Sequence, residues 1–412
     1  MFSRYSFFVF IASLLVCVCA AVSALAQESA PRTATPLPSP TPSVDEAQDG
    51  QDAVKVLTEE VRIPIFATDE EGRFDPSLEI QDILVLEDNV PQEIRSVRRI
   101  PASILLLVGT GGELNPAIRT STTRAVARNL VANIREGDHV AVLQFSSRTE
   151  LVHGWTEDKE SLHRSLRSKL LAGRGSRLSQ AIIEAARFFE SQPVGNRHLV
   201  LITDGVETPS RLDYKEAIKV LNAGNAPTPE AQAEATEAVR QLNATQATVH
   251  IISYTAIGQR VSKEQAEKTQ EALGIAQSRA DMATVGIDPT RPPGTRGSGI
   301  NPPQVNGGIR FDPQMRKLRQ AYERALKRSE QRLTSFAEET GGRMWLPVSA
   351  DEMYLNAKEV AREIGSQYVI TYQPKRPLEN APPNEYRRLV VAPRRIGLRL
   401  RARRGYVVAA VR

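Results

Sequence analysis

The sequence predicts an α/β fold: a mainly parallel, doubly wound sheet with helices on both faces, flanked by small antiparallel β segments that pack together beside it. Three observations carry that expectation. Between Pro101 and about Tyr368, short apolar runs alternate with stretches of helical period, the pattern of strands joined by crossover helices. Before Pro101 and after Ile364 the period is mostly two, with turn residues between the runs. The run Ile104–Val108 is apolar at every position, as in a strand covered on both faces.

The chain has 412 residues and opens with Arg4, an apolar run from Phe7 to Val22, and small residues at Ala24 and Ala26. These are the charged, hydrophobic and cleavage regions of a secretory signal, so residues 1–26 are expected to be removed after Ala26. The run is short for a spanning helix, and no retained transmembrane helix is expected. Both cysteines, Cys17 and Cys19, lie inside this segment, so the mature chain would carry no thiol, disulfide or thiolate metal site. Each cysteine follows a valine (Val16, Val18), which does not suit lipidation. The expected location is secreted or periplasmic.

Residues 27–52, with Pro36, Pro38, Pro40 and Pro42 among Ser, Thr and acids, lack the apolar content of a core and read as a disordered linker. Residues 53–100 read as a small antiparallel β-domain: Val61, Ile63 and Ile65 alternate, Asp69–Gly72 turns the chain, and Ile83, Val85, Ile94 and Val97 follow around a turn at Asp88-Asn89.

Residues 101–366 form the α/β body. Strand Ile104–Val108 leads to Asn115-Pro116, a helix start, and a helix with Ile118, Val126, Leu130 and Ile134 on one face. Val140–Phe145 is the next strand, with Thr149–Val152 a short neighbour. Two helices follow, marked by Leu162, Leu166, Leu170 and by Ile182, Ala186, Phe189. The strand His198–Thr203 ends at Asp204-Gly205; Val249–Tyr254 and Arg343–Leu346 are further strands, and Met353–Ile364 is a closing amphipathic helix. Two insertions interrupt the alternation: an Ala/Glu/Gln-rich helical stretch at about 222–247, and 257–313, which runs from a polar helix into a Pro-, Gly- and Arg-dense surface segment. Residues 367–412 return to short strands.

Ligands of open α/β sheets bind outside the carboxyl ends of the strands, so the loop after Ile104–Val108 decides the functional question. Gly109, Thr110, Gly111 and Gly112 supply one hydroxyl and no carboxylate before Glu113, which points to binding rather than catalysis. A nucleotide-binding reading of these glycines fails, because the sixth motif position is Leu114 and the next strand ends at Gln144-Phe145 rather than an acid for a ribose. No Ser lies in a Gly-x-Ser-x-Gly elbow, and His139, His153, His163, His198 and His250 lack metal-ligand spacing. No catalytic constellation emerges.

The formal charge of +5 is mild for this length, but Arg387, Arg388, Arg394, Arg395, Arg399, Arg401, Arg403, Arg404 and Arg412 crowd the last stretch. An anionic surface contact is one reading. The alternation of Leu398, Leu400 and Ala402 with Arg399, Arg401 and Arg403 favours the other, a half-buried strand with a solvated face. Nucleic acid does not fit an exported chain with 5% aromatic residues.

The arrangement resembles a von Willebrand factor A domain, and more narrowly the exported bacterial proteins in which such a domain lies between two β-rich flanks. Phe336–Arg343, with its Gly341-Gly342 turn, and the segments Tyr368–Pro374 and Arg403–Tyr406 are similar to the later parts of those proteins. The resemblance implies a cation site of the Asp-x-Ser-x-Ser type after the first strand, completed by a later Thr and Asp, suited to Mg²⁺ or Ca²⁺. Here Val108 stands at the Asp, Thr110 and Gly112 at the two Ser, Ser176 at the Thr, and Asp204 at the last Asp. Such a degenerate site, with Thr110, Ser176 and Asp204 as its oxygen donors, would bind a metal weakly, and no resident cofactor is expected. The resemblance implies a non-enzymatic protein that recognises a protein partner at the cell envelope through Gly109, Thr110, Gly111, Gly112, Glu113 and Asp204. The alternatives are a structural envelope component touching anionic surface polymer or membrane through its basic strands, and a weak divalent-cation-dependent adhesion domain.

Overall fold

The computed structural model describes residues 60–111, 120–208, 214–224, 229–284, 313–382 and 384–408. The signal (1–26) and linker (27–52) expectations lie outside these residues, as do Gly112, Glu113 and the helix start at Asn115-Pro116.

The chain begins in four strands: β1 (Val61–Thr68), β2 (Ile83–Glu87), β3 (Val90–Gln92) and β4 (Ile94–Arg98). It then enters the α/β body, whose strands are β5 (Ser103–Gly109), β6 (His139–Phe145), β7 (Thr149–Thr156), β8 (Arg197–Thr203), β9 (Thr248–Ser253) and β10 (Met344–Trp345). Their order is β10-β9-β8-β5-β6-β7, and only the β6–β7 pairing is antiparallel. From β5 the chain moves outward to β6 and β7, then returns to the other side of β5 as β8. The order therefore reverses between β5 and β8, and it is at the carboxyl ends beside such a reversal that open α/β sheets bind ligands.

Helices α1 (Thr120–Asn133), α2 (Lys159–Ser168) and α3 (Leu178–Phe188) connect the first half. Asp158 caps α2 by accepting from the amides of Glu160 and Ser161. The alternation within β5 sorts the core: Ile104, Leu106 and Val108 pack with Val126, Leu130 and Val131 of α1, while Leu105 and Leu107 pack with Leu178, Ala181 and Ile182 of α3. All five β5 residues are fully buried, which is why their run carries no polar alternation.

After β8 come α4 (Tyr214–Ala223) and α5 (Pro229–Ala244), then β9, α6 (Thr255–Thr284), α7 (Pro313–Glu339), β10 and α8 (Ala350–Gly365). The stretch 222–247, expected as an added helix, contains α5, whose Ala238 and Leu242 are buried in the same cluster as Leu105 and Leu107. It is part of the body's second helical layer. Within 257–313, residues 257–284 continue α6, and 285–312 lie outside the described residues. Helix α7 has its own small core with α4, formed by Leu221, Leu318, Ala321, Tyr322 and Leu326 around Val206. That cluster sits directly beyond the end of β8.

Strands β11 (Tyr368–Tyr372), β12 (Tyr386–Pro393), β13 (Arg399–Ala402) and β14 (Gly405–Val407) close the chain. Residues 53–100 and 367–412 do not build separate β units. One sheet has the order β13-β1-β11-β4 and the other β14-β12-β2-β3, so each takes strands from both chain ends. Ile63, Ile65, Ile83, Val85, Ile370 and Leu389 share one core between the sheets. Among the described residues, no helix is long and apolar enough to cross a membrane.

Candidate functional site at the carboxyl ends of β5 and β8

The loop after β5 is stitched to its neighbours through the backbone. Thr110 donates its amide to the Phe145 carbonyl at 2.9 Å and its hydroxyl to the same oxygen at 3.3 Å, and its own carbonyl accepts from the Gly173 amide at 3.1 Å. The amide of Arg177 reaches the carbonyl of Ser146, and that of Ser147 reaches Arg174. These contacts bring the ends of β5 and β6 against the segment before α3. Gly111 is where the approach is tightest: a Cβ there would stand 1.6 Å from the Gly175 carbonyl oxygen. Only glycine fits.

Ser176 joins this cluster to the loop after β8, exchanging backbone hydrogen bonds with Thr208 at 2.9 and 3.0 Å. Glu207, in the same loop, accepts from both the amide and the hydroxyl of Ser179 at 2.7 Å, at the start of α3. Thr110, Ser176 and Asp204 are thus assembled at one end of the sheet, and all three are buried, at 8%, 7% and 6% exposure. Val108 is not part of that end: its side chain is fully buried in the core with Ile202 and α1.

Asp204 ends β8 with both carboxylate oxygens engaged. Oδ1 accepts from the Val206 amide at 3.0 Å, and Oδ2 accepts from the Tyr322 hydroxyl of α7 at 2.5 Å. Helix α7 holds the rest of this loop too: Ser329 donates to the Asp204 carbonyl at 2.6 Å and Arg332 to the Gly205 carbonyl at 2.8 Å. Burial, and then the neighbouring Asp204 charge, push the Tyr254 phenol well above its ordinary range. Burial draws the Arg332 guanidinium down, against the opposing pull of Glu207. The sequence marks Tyr254 only as a strand end, and nothing local marks Tyr322, Ser329 or Arg332. Tyr322 lies 118 residues from Asp204, and no local pattern marks the pair.

Two of the histidines that lack metal-ligand spacing in the sequence are brought together. His198 Nδ1 lies 3.2 Å from His250 Nε2, because β8 and β9 are adjacent and in parallel register. His198 Nε2 contacts the Asn196 side-chain oxygen at 2.9 Å, and His250 Nδ1 is 3.4 Å from Glu363 of α8. Burial, reinforced by His250, holds the His198 pKa well below its ordinary value. Glu363 in turn pairs with Arg401 of β13, linking the body to the β-sandwich. Among the described residues no group of three or more His, Cys, Asp or Glu is placed to hold a metal.

The arginines near the C-terminus are mostly engaged within the fold. Arg387 is buried against Glu87, Arg395 lies beside Asp75 and Asp82, Arg401 stacks 5.0 Å over the Phe66 ring and pairs with Glu363, and Arg404 pairs with Glu338. Arg403 is buried, donates to the Gly405 carbonyl at 2.6 Å, and has its pKa drawn down by burial to about 10. Of the solvated face expected for Arg399, Arg401 and Arg403, Arg399 is exposed, Arg401 is half-buried over Phe66 and beside Glu363, and Arg403 is buried.

Residues 109–207 match the family model of the von Willebrand factor type A domain, from the end of β5 to the loop after β8. No curated protein matches the chain. Among solved structures it is similar to the conserved hypothetical protein BatB from Bacteroides thetaiotaomicron, with 18% identity, a TM-score of 0.28, and coverage of 37% of this chain and 66% of that one. An aerotolerance-related membrane protein from Bacteroides fragilis, carrying multiple mutations to serines, matches at 16% identity and a TM-score of 0.35, covering 64% of this chain and 98% of that one. A von Willebrand factor type A protein from Catenulispora acidiphila matches at 11% identity and a TM-score of 0.37, covering 82% and 75%.

Proposed function

We propose that this chain, which contains a von Willebrand factor type A domain, is a non-enzymatic exported protein that recognises a protein partner at the cell envelope through the carboxyl-end face of β5 and β8, without a tightly bound metal. Export rests on the signal-like segment 1–26. The recognition face comprises Gly109, Thr110, Gly111, Gly112, Glu113 and Asp204.

The observation that carries the metal-independent reading is the state of Asp204. A hard divalent cation takes six or more oxygen ligands, with carboxylates supplying the charge. Here the one carboxylate at the family's positions accepts from Val206 and Tyr322, the Thr110 hydroxyl turns to the Phe145 carbonyl, and Val108 is a core residue. This donor set does not fit a tight cation site. Gly112 adds no oxygen beyond its backbone. The reading of an anionic-polymer contact has less support, because most arginines of the C-terminal strands already face carboxylates or carbonyls of the chain itself.

Calorimetric titration of the chain with Mg²⁺, Mn²⁺ and Ca²⁺ tests the proposal. The expected result is no sub-millimolar binding. Sub-millimolar binding that Asp204→Ala abolishes would overturn it.

A further inference from the structure

The β-sandwich presents an open strand edge beside a groove. Strand β4 is the last strand of its sheet, paired on one side with β11, and among the described residues no strand pairs with its other side. Next to it, β3 ends the facing sheet. Between these edges and the turn at 78–83 opens a groove of about 1020 Å³.

The groove combines three properties. Leu78, Ile80, Ile94 and Val97 give it an apolar floor, and Ile80 is 44% exposed. Arg95, Arg98, Lys375 and Arg394 line it against two acids, Glu79 and Glu93. Arg98, Lys375 and Arg394 are exposed and form no ion pair among the described residues. Finally, β4 contains no proline, so its outer amides and carbonyls can pair with an added strand.

We propose that the outer edge of β4 is a docking site for an acidic, extended segment of a partner protein, which adds to the sheet as a further strand. Backbone hydrogen bonds supply the pairing, and alternate side chains of the added segment face the apolar floor and the cationic rim. The excess of unpaired cations selects acids at the second set of positions. Charged residues on an edge strand also discourage self-pairing of identical chains, which would bring Arg95 and Arg98 toward like charges.

The test uses the full chain and a labelled, terminally blocked octapeptide of alternating valine and glutamate. Saturable binding is expected, with slowed amide exchange over residues 94–98 and weakening in high salt. An alternating valine–lysine peptide should not bind. The double substitution Arg95→Glu, Arg98→Glu should weaken binding by about tenfold or more. Lys375→Glu, which lies outside the strand and leaves its pairing with β11 intact, should weaken it in the same direction. No saturable binding of the glutamate peptide, unchanged affinity in Lys375→Glu, or exchange protection confined to other strands would each overturn the proposal. So would self-association of the chain that protects residues 94–98 before any peptide is added, since the occupant would then be a second copy.

Discussion

Glu87 and Arg387, 300 residues apart in the chain, meet as a buried ion pair at 3.0 Å in the middle of the β-sandwich. Tyr372 and Tyr406 both donate to the second carboxylate oxygen of Glu87, at 2.6 and 3.0 Å, and Arg387 also donates to the carbonyls of Arg376 and Pro377. One carboxylate from the N-terminal flank thus organises three side chains from the C-terminal flank. Burial, with the negative Glu87 beside them, raises both phenol pKa values, so the tyrosines act as donors.

Removing one member leaves the other charge buried and uncompensated. Arg387→Met should destabilise the chain by about 3–5 kcal/mol, read as the change in urea midpoint at constant slope. A loss below about 1 kcal/mol would mean that the pair is solvated and does not organise the sandwich.

Tyr322→Phe removes the phenolic donor to Asp204 while keeping the ring in the α4–α7 cluster. The buried carboxylate loses a hydrogen bond, and a stability loss of about 1–3 kcal/mol is expected. Amide exchange should rise around Asp204–Glu207 and along α7. Unchanged exchange in that loop would show that α7 does not hold it.

Gly111→Ala places a methyl group against the Gly175 backbone. Because the atom it meets is main chain, two loops must separate, and a loss of about 1–3 kcal/mol with altered partner binding is expected. Gly154→Ala in β7 meets nothing within 4 Å and serves as the control, with a change inside about 0.5 kcal/mol. Equal melting temperatures for the two variants would contradict the close approach.

Mild acid should destabilise the fold through the buried His198. The folded-state pKa of His198 lies below its ordinary 6.5, so the unfolded chain takes up the proton first as pH falls. Its contribution is fully present above pH 6.5 and is lost below it, with a slope approaching about 1.4 kcal/mol per pH unit for one proton. The pKa of the buried Glu363 is also lowered: burial opposes its charge, but His250, Arg401 and Arg343 outweigh burial, so its contribution is lost only below about 4.5. Urea midpoints between pH 7 and 5 should fall, and His198→Gln should flatten that fall. An identical pH slope in the variant would remove His198 as the cause.

Much of the fold was legible because local patterns report burial directly. The unbroken apolar run of β5 announced a strand covered on both faces, and the alternation in β1 announced one covered on one. The place of Asp204, just after a strand and before a glycine, is local as well, whereas its candidate role came only from the resemblance to the family pattern. The role of α5 was not, since an Ala/Glu/Gln-rich helix with only Ala238 and Leu242 deep in the core reads like a surface addition. Nor did the alternating arginines of β13 reveal that Arg403, just after the strand, is buried.

By itself the amino-acid sequence determined the α/β body and the β-rich character of both flanks, because periodicity is a local property. Tertiary structure alone decided that the flanks interleave strand by strand into one sandwich, that His198 meets His250, and that Tyr322 reaches Asp204. Those pairings depend on sheet order, register and helix placement, which are set by the summed burial of distant segments and leave no mark on either partner's neighbours in the chain.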